Sequence, residues 1–171
     1  MARRVLAYAF ASLAMILAAP GCGGGASPAG EAVEFDACAP VALVLDAAIP
    51  QAQAAGVTAA IGLWNDRAGT HLALTGDQGG PALPIHFQTA APPFHGFYDA
   101  PNGQVFINND LSGAPLAVTI AHEIGHAFGL VHVPNGKRSS VMNPNNLVIE
   151  PTAEDIDSLA MRWGACLASA P

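Results

Sequence analysis

One eleven-residue segment constrains the fold of this chain more than any other: His122-Glu123-Ile124-Gly125-His126-Ala127-Phe128-Gly129-Leu130-Val131-His132. His122 and His126 are four residues apart, so on an α-helix their side chains project from the same face, one turn apart. Gly129 can end that helix, because glycine adopts a positive φ easily and lets the chain turn sharply. The sequence therefore predicts a helix that stops at Gly129 and a chain that turns back to bring His132 beside the other two histidines.

Three imidazoles in this arrangement predict a metal site. Two histidines one turn apart can both reach a Zn²⁺ ion at about 2.0–2.1 Å, and His132 adds a third nitrogen. Three protein ligands leave the fourth position of tetrahedral zinc open, as catalytic zinc requires. Glu123 lies on the adjoining helix face, where its carboxylate can act as general base on a zinc-bound water. We therefore expect His122, His126 and His132 to hold one catalytic Zn²⁺, with Glu123 as the catalytic residue.

The full pattern is long enough that a chance match is rare. Two histidines and a glutamate spaced as His-Glu-x-x-His occur by chance in about 1% of chains of this size. Requiring Gly129 and His132 as well lowers that chance to on the order of 10⁻⁷ per starting position. The alternative, ordinary histidines on a helix, is therefore disfavoured.

The segment resembles the metzincin family of zinc peptidases. Metzincins have a tight turn with a methionine beneath the metal, and Ser139-Ser140-Val141-Met142-Asn143-Pro144 looks like that turn, with Met142 in the methionine's place. Within metzincins the chain is most similar to the matrixins, through this turn, the closing helix of residues 151–164, and the segment Gly103-Gln104-Val105-Phe106-Ile107. The similarity is strong over residues 119–164 and loose before them.

The resemblance implies a fold as well as an activity. The implied fold is α+β, a zincin-like metzincin catalytic domain with a twisted mixed sheet, about three helices, and zinc in the cleft below the edge strand. The implied activity is hydrolysis of peptide bonds in a protein or peptide substrate. That substrate is expected to pair with the edge strand through Val105, Phe106 and Ile107. We expect the molecule to be a monomer.

Some residues depart from the matrixin pattern. Val133 follows the third histidine, where matrixins usually have a small polar residue. Many matrixins carry a second, structural zinc, but His95-Gly96-Phe97 lacks the aspartate that such a site uses. His71, His86 and His95 are therefore interpreted as ordinary histidines. Asp99 and Asp110 could contribute to a Ca²⁺ site, but nothing else in the sequence supports one.

Hydrophobic periodicity predicts a mixed order of strands and helices. In the helix that carries the histidines, Leu116, Ile120 and Ile124 form the core stripe, and Ser112 is the expected cap. Thr152-Ala153-Glu154-Asp155 has the pattern of a capping box that opens a last helix. Strands are predicted at residues 41–45, 71–75, 84–88 and 104–108, and helices at residues 51–67, 114–128 and from residue 152 onward.

The start of the chain predicts export. A short basic start and an apolar run over residues 5–17 give residues 1–21 the layout of a signal peptide, with a retained helical anchor as the alternative. Ala19-Pro20-Gly21-Cys22 resembles a bacterial lipoprotein box, although Ala19 stands where leucine is usual. Cys22 is therefore the expected lipidation site. We expect a cell-envelope lipoprotein that meets the membrane only through this lipid, with simple secretion as the alternative.

The remaining chain divides into a tether and one domain. The glycine-rich stretch leads us to assign residues 22–37 to a flexible tether and residues 38–171 to the catalytic domain. Cys38 and Cys166 then form an even pair, and export favours a disulfide between them, with two free thiols as the alternative.

Without the leader's two arginines the chain has 4 basic and 13 acidic residues, a net charge of −9, which argues against nucleic acid as a partner.

The sequence thus predicts a zinc-dependent endopeptidase that cleaves extracellular or envelope proteins. A zinc-containing surface lipoprotein that binds a partner without cleaving it is one alternative, and an enzyme acting on something other than protein is another. Glu123 argues against the first alternative, because binding alone does not need that carboxylate.

The lipidation hypothesis predicts the behaviour of a Cys22→Ser variant. Without the thiol no lipid can be attached, so the variant should leave the membrane fraction or stay unprocessed. Fractionation of cells followed by mass spectrometry of the N-terminal peptide measures both outcomes. Unmodified protein found entirely in the medium would show that Cys22 does not anchor the chain.

Overall fold

The computed structural model describes residues 32–46, 48–74 and 80–164. Within them the chain forms five strands and three helices in a mixed order, as expected for an α+β fold. No helix in these ranges is long and apolar enough to cross a membrane. The elements are β1 (Pro40–Leu45), α1 (Gln51–Ala68), β2 (His71–Leu74), β3 (Ala82–Gln88), β4 (Gly96–Asp99), β5 (Gln104–Asn108), α2 (Gly113–Ala127) and α3 (Ala153–Trp163).

All five strands belong to one sheet with the order β2-β1-β3-β5-β4. Neighbouring strands are parallel, except that β4 runs antiparallel to β5, with Phe97 opposite Phe106. β4 is therefore an edge strand, and one side of its backbone is left without a strand partner. Helix α2 contacts both β4 and β5, which brings the histidine-bearing helix directly beside that edge.

Close packing of α1 against α2 forms the centre of the core. The Trp64 indole is fully buried and donates a hydrogen bond of 2.9 Å to the Ala121 carbonyl oxygen. Gly56 faces Leu116 so closely that any side chain there would collide with it. Ile120 and Ile124 are also fully buried, which confirms the predicted core stripe of α2. The helix that carries the histidines is thus held by contacts with residues that do not line the cleft.

The predicted element order is largely confirmed, with one strand missed. β4 spans only Gly96–Asp99, and its side chains show no clear alternation that the sequence could reveal. Its pairing with β5, rather than local propensity, makes it a strand. At the helix starts, Ser112 makes no side-chain capping bond, whereas Thr152 and Asp155 form the expected capping box.

The predicted tether is wrong over residues 32–37, which pack against the domain. The Phe35 side chain joins the core, and its N–H donates to the Ala127 carbonyl oxygen at the end of α2, at 2.9 Å. The Val33 N–H donates to the Ala100 carbonyl oxygen at 2.8 Å. The burial of an aromatic ring and the pairing of backbone groups outweigh the entropy that a free tether would keep. The domain therefore begins before Cys38.

Cys38 is disulfide-bonded, and its sulfur lies 3.5 Å from the carbonyl oxygen of Trp163. Cys166, the predicted partner, lies outside the described residues, as does Cys22. We predict that digestion of the non-reduced protein yields one peptide pair joined through Cys38 and Cys166, which separates on reduction. Recovery of both residues as free thiols, or of Cys38 joined to Cys22, would contradict the pairing.

Candidate active site

The three predicted histidines converge at the end of α2. His122 and His126 lie one turn apart on the helix, and the Nε2 atom of each is 3.1 Å from Nε2 of His132. All three candidate ligand atoms lie within 4.8 Å of one another, and the group is the one cluster in the described chain suited to a metal. The sequence prediction that His132 returns to the helix is confirmed in its geometry.

Gly129 makes that return possible. Its φ of +81° is in the left-handed region, and the Leu130 N–H closes the helix by donating to the Gly125 carbonyl oxygen at 2.9 Å. A side chain on Gly129 would also collide with the guanidinium group of Arg162, which packs against the turn from α3. Glycine is therefore favoured here by its backbone conformation, and a side chain would in addition displace Arg162.

Backbone carbonyls orient two of the imidazoles. The Nδ1 atom of His122 donates to the Val141 carbonyl oxygen at 2.7 Å, and that of His126 donates to the Leu130 carbonyl oxygen at 2.9 Å. In the neutral rings this leaves the Nε2 lone pairs facing the common centre. Burial lowers the pKa of His122 to about 4 and also lowers the pKa of His126. Both rings are therefore neutral near pH 7, as metal ligands must be.

The turn that resembles the metzincin methionine turn lies directly under α2. Met142 is buried, and its sulfur would be 2.5 Å from a Cβ atom placed on Gly125, which lies between the two helical histidines. The Val133 N–H donates to the Met142 carbonyl oxygen at 2.9 Å. The turn thus contacts both the helix and the residue after His132.

Asp155 holds this turn from the other side. Its fully buried carboxylate accepts hydrogen bonds from the Ser140 hydroxyl at 2.5 Å, the Val141 N–H at 2.8 Å and the Arg138 guanidinium at 2.7 Å. It also accepts from the backbone and side chain of Thr152. Because the Val141 carbonyl orients His122, Asp155 fixes a metal-site histidine through a single intervening residue.

Glu123 faces the cleft from α2 and is almost completely buried. Burial raises the pKa of Glu123 to about 8, partly offset by the Tyr98 backbone N–H, which hydrogen-bonds to the carboxylate. Strand β4 comes this close because Gly96 has no side chain. A Cβ atom there would be 2.9 Å from Cγ2 of Thr119 and 3.2 Å from Oε1 of Glu123.

The expected substrate-binding strand is wrong. Val105, Phe106 and Ile107 lie on β5, which pairs with β3 on one side and β4 on the other, so its backbone is not available to a substrate. The side chains of Val105 and Ile107 are in the core. The open edge belongs to β4, whose residues line a cleft of about 560 Å³ together with the three histidines and Glu123.

The other residues that the sequence singled out do not belong to the cluster of three histidines. His86 contacts the Asp46 carboxylate and Gln104 on the face of the sheet away from the helices, and His71 is exposed on β2. His95 lines the cleft just before β4. The Asp99 carboxylate accepts from Asn102 at 2.7 Å within a turn. Sequence reasoning did not identify Gly96, Tyr98 or Arg162 as site residues, because their roles arise only from contacts between distant segments.

Comparison with known proteins supports the fold. No protein-family model matches the chain. The chain is 37% identical over 73 residues to a human protein described as a disintegrin and metalloproteinase with thrombospondin motifs 7, a match that covers 39% of this chain and 4% of that protein. It therefore spans a small fraction of that relative's length.

Two solved structures share the architecture. Archaemetzincin from Methanopyrus kandleri superposes with a TM-score of 0.51 at 16% identity, covering 79% of this chain and 97% of that one. Myroilysin superposes with a TM-score of 0.53 at 10% identity, covering 77% of this chain and 86% of that one. These matches show a metzincin-like, zincin-type α+β fold, as the sequence predicted.

The Asp155 network makes a stability prediction. Removing the carboxylate by Asp155→Ala leaves buried donors and Arg138 without their partner, so the free energy of unfolding should fall by about 3–5 kcal/mol. Asp157→Ala on the exposed side of the same helix should change it by less than about 0.5 kcal/mol. Urea unfolding followed by tryptophan fluorescence measures both.

Because of the Asp155 carboxylate, we expect the free energy of unfolding to depend on pH. Burial alone would raise the pKa of Asp155, but the hydrogen bonds from Ser140, Thr152, Arg138 and Val141 outweigh it, and the pKa is lowered. Its stabilisation is therefore present above the unfolded-state pKa of about 3.9 and is lost as pH falls through the lower folded pKa. The stability difference between the parent and Asp155→Asn should narrow as the solution is acidified below about pH 4. A constant difference would contradict this role.

Proposed function

We propose that this protein is a zinc-dependent endopeptidase. One observation carries the proposal: three convergent imidazole nitrogens, a buried carboxylate beside them and an open strand edge all lie in the same cleft. A site that only held a metal would need neither the carboxylate nor the strand edge. Each of the three features has a distinct part in hydrolysing a peptide bond.

The donor set fits zinc. Nitrogens at 2.0–2.1 Å from a tetrahedral ion are about 3.3 Å apart, close to the 3.1 Å that separates Nε2 of His132 from Nε2 of His122 and of His126. All three nitrogens lie within 4.8 Å of one another. His122, His126 and His132 would hold the ion and leave one position open. When bound, zinc supplies a Lewis acid that lowers the pKa of water and polarises a carbonyl group.

Glu123 moves the proton in the proposed reaction. Its carboxylate accepts the proton of the attacking water and passes it to the nitrogen of the leaving amine. Burial makes the carboxylate a stronger base than an exposed one, because the charged form is poorly solvated, and a cation held by the neighbouring histidines would favour the ionised form that accepts the proton. Helix α2 carries Glu123 together with His122 and His126, so it holds the base at a constant position relative to two of the proposed ligands.

Strand β4 binds the substrate in this proposal. The Asn108 N–H donates to the His95 carbonyl oxygen at 2.8 Å, so along this antiparallel ladder Phe97 pairs with β5 while the backbone groups of Gly96 and Tyr98 face away from β5. Because the Tyr98 N–H bonds to Glu123, a substrate would pair with the backbone groups of Gly96 and with the Tyr98 carbonyl oxygen. An extended peptide can add to that edge as a further strand. In this proposal the substrate pairs with β4 and not with Val105, Phe106 and Ile107 of β5.

The subfamily, the cellular location, the natural substrates and the oligomeric state are also proposals. The matrixin-like turn around Met142 and the closing helix from Ala153 support placement near the matrixins. The signal-like leader and the lipoprotein box at Cys22 support an exported, envelope-attached protein whose substrates are extracellular or envelope proteins. We expect a monomer.

Two substitutions separate catalysis from metal binding. Glu123→Gln should keep about one zinc per chain, because Glu123 is not a ligand, while kcat falls by about 10²–10⁴-fold. His126→Ala should lose both zinc and activity, because two ligands remain. Atomic spectroscopy and hydrolysis of a quenched fluorescent peptide measure the two properties side by side.

Matched controls use residues outside the cleft. Glu154→Gln, on the exposed side of α3, is the control for Glu123→Gln, and His71→Ala, on β2, is the control for His126→Ala. Both control variants should keep zinc and turnover. Undiminished cleavage by Glu123→Gln would refute the mechanism. A parent that holds zinc but cleaves no peptide would favour a binding protein instead.

A further inference from the structure

The few basic side chains of this acidic chain gather at one place. Beyond the leader the sequence has four basic residues, and three of them, Lys137, Arg138 and Arg162, line a single pocket of about 400 Å³. Asp155 is the one acidic residue among the described residues that line it. With 13 acidic residues in the chain, this concentration of positive charge distinguishes the pocket from the rest of the described surface.

The pocket adjoins the proposed active-site cleft. Residues 129–132 line both depressions, so the two meet at the turn that ends at His132. The far wall is one face of α3, where Asp155, Ser158 and Arg162 recur at spacings of three and four. The pocket is therefore next to the cleft that holds the three histidines.

Positive charge in the pocket is only partly compensated. Arg138 is paired with the buried Asp155, and Arg162 is paired with Glu34 at the surface. Lys137 has no acidic partner within ion-pair distance among the described residues, and it is exposed. Each guanidinium also has five N–H donors, more than its one acidic partner uses.

We propose that this pocket is a subsite for an acidic side chain of the peptide substrate. A carboxylate there would accept hydrogen bonds from the Lys137 ammonium and from the guanidinium groups at the pocket wall. The rest of the negatively charged chain repels acidic peptides. An acidic residue is therefore favoured only at the position of the peptide that reaches this pocket. This inference rests on the proposed peptidase function and specifies its substrate class.

The test compares peptides that differ only in charge. The zinc-loaded protein is assayed with peptide pairs that carry either Glu or Gln at one of four positions on each side of the cleaved bond. At one position the Glu peptide should have a kcat/KM about three- to tenfold higher than its Gln partner. That ratio should decline as salt is raised from about 0.05 to 0.5 M, because the pocket is open to solvent.

Charge substitutions identify the pocket as the cause. Lys137→Ala should bring the Glu-to-Gln ratio close to one, and Lys137→Glu should invert it. Arg67→Ala is the matched control: it removes the same charge from the fourth basic residue, which pairs with Glu150 and does not line the pocket. Its Glu-to-Gln ratio should equal that of the parent.

The outcomes separate this inference from the proposed function. Cleavage without a preference for Glu at any position would overturn the subsite and leave the peptidase function intact. A preference that Lys137→Ala reduces no more than Arg67→Ala does would also overturn it. Failure of the parent to cleave any peptide would overturn the function, and the subsite with it.

Discussion

The geometry of the site depends on two successive hydrogen bonds that link α3 to α2 through Val141. The Asp155 carboxylate binds the Val141 N–H, and the carbonyl oxygen of the same residue accepts from the His122 imidazole. A buried carboxylate with all its partners present is rigid, because any movement leaves a charge unpaired in a poorly solvated place. The last helix therefore orients the first histidine, although His122 and Asp155 are 33 positions apart in the sequence.

The turn at Gly129 couples this framework to the rest of the cleft. Its backbone brings His132 back to the helix, and the guanidinium of Arg162 covers it from α3. Arg162 in turn pairs with Glu34 in the N-terminal segment, which also lines the cleft. One small residue thus lies where the metal-site turn, the closing helix and the start of the domain meet.

Charge and exposure divide the cleft into two environments. Around Glu123 the site is buried, which raises the pKa of the carboxylate and keeps His122 neutral. Beyond His132 the surface opens into a pocket walled by basic side chains. The first environment suits proton transfer, and the second suits recognition of charge, so the two demands do not compete for the same residues.

The sequence by itself determined the chemistry of the site and most of the elements around it. His122, His126, Gly129 and His132 are close in the chain, and helical spacing and glycine's freedom at positive φ are local properties that a pattern can carry. Only the tertiary structure decided that β4, not β5, is the open edge, and that residues 32–37 pack on the domain. Strand order and the docking of Phe35 depend on contacts between segments far apart in sequence, and no local pattern records them.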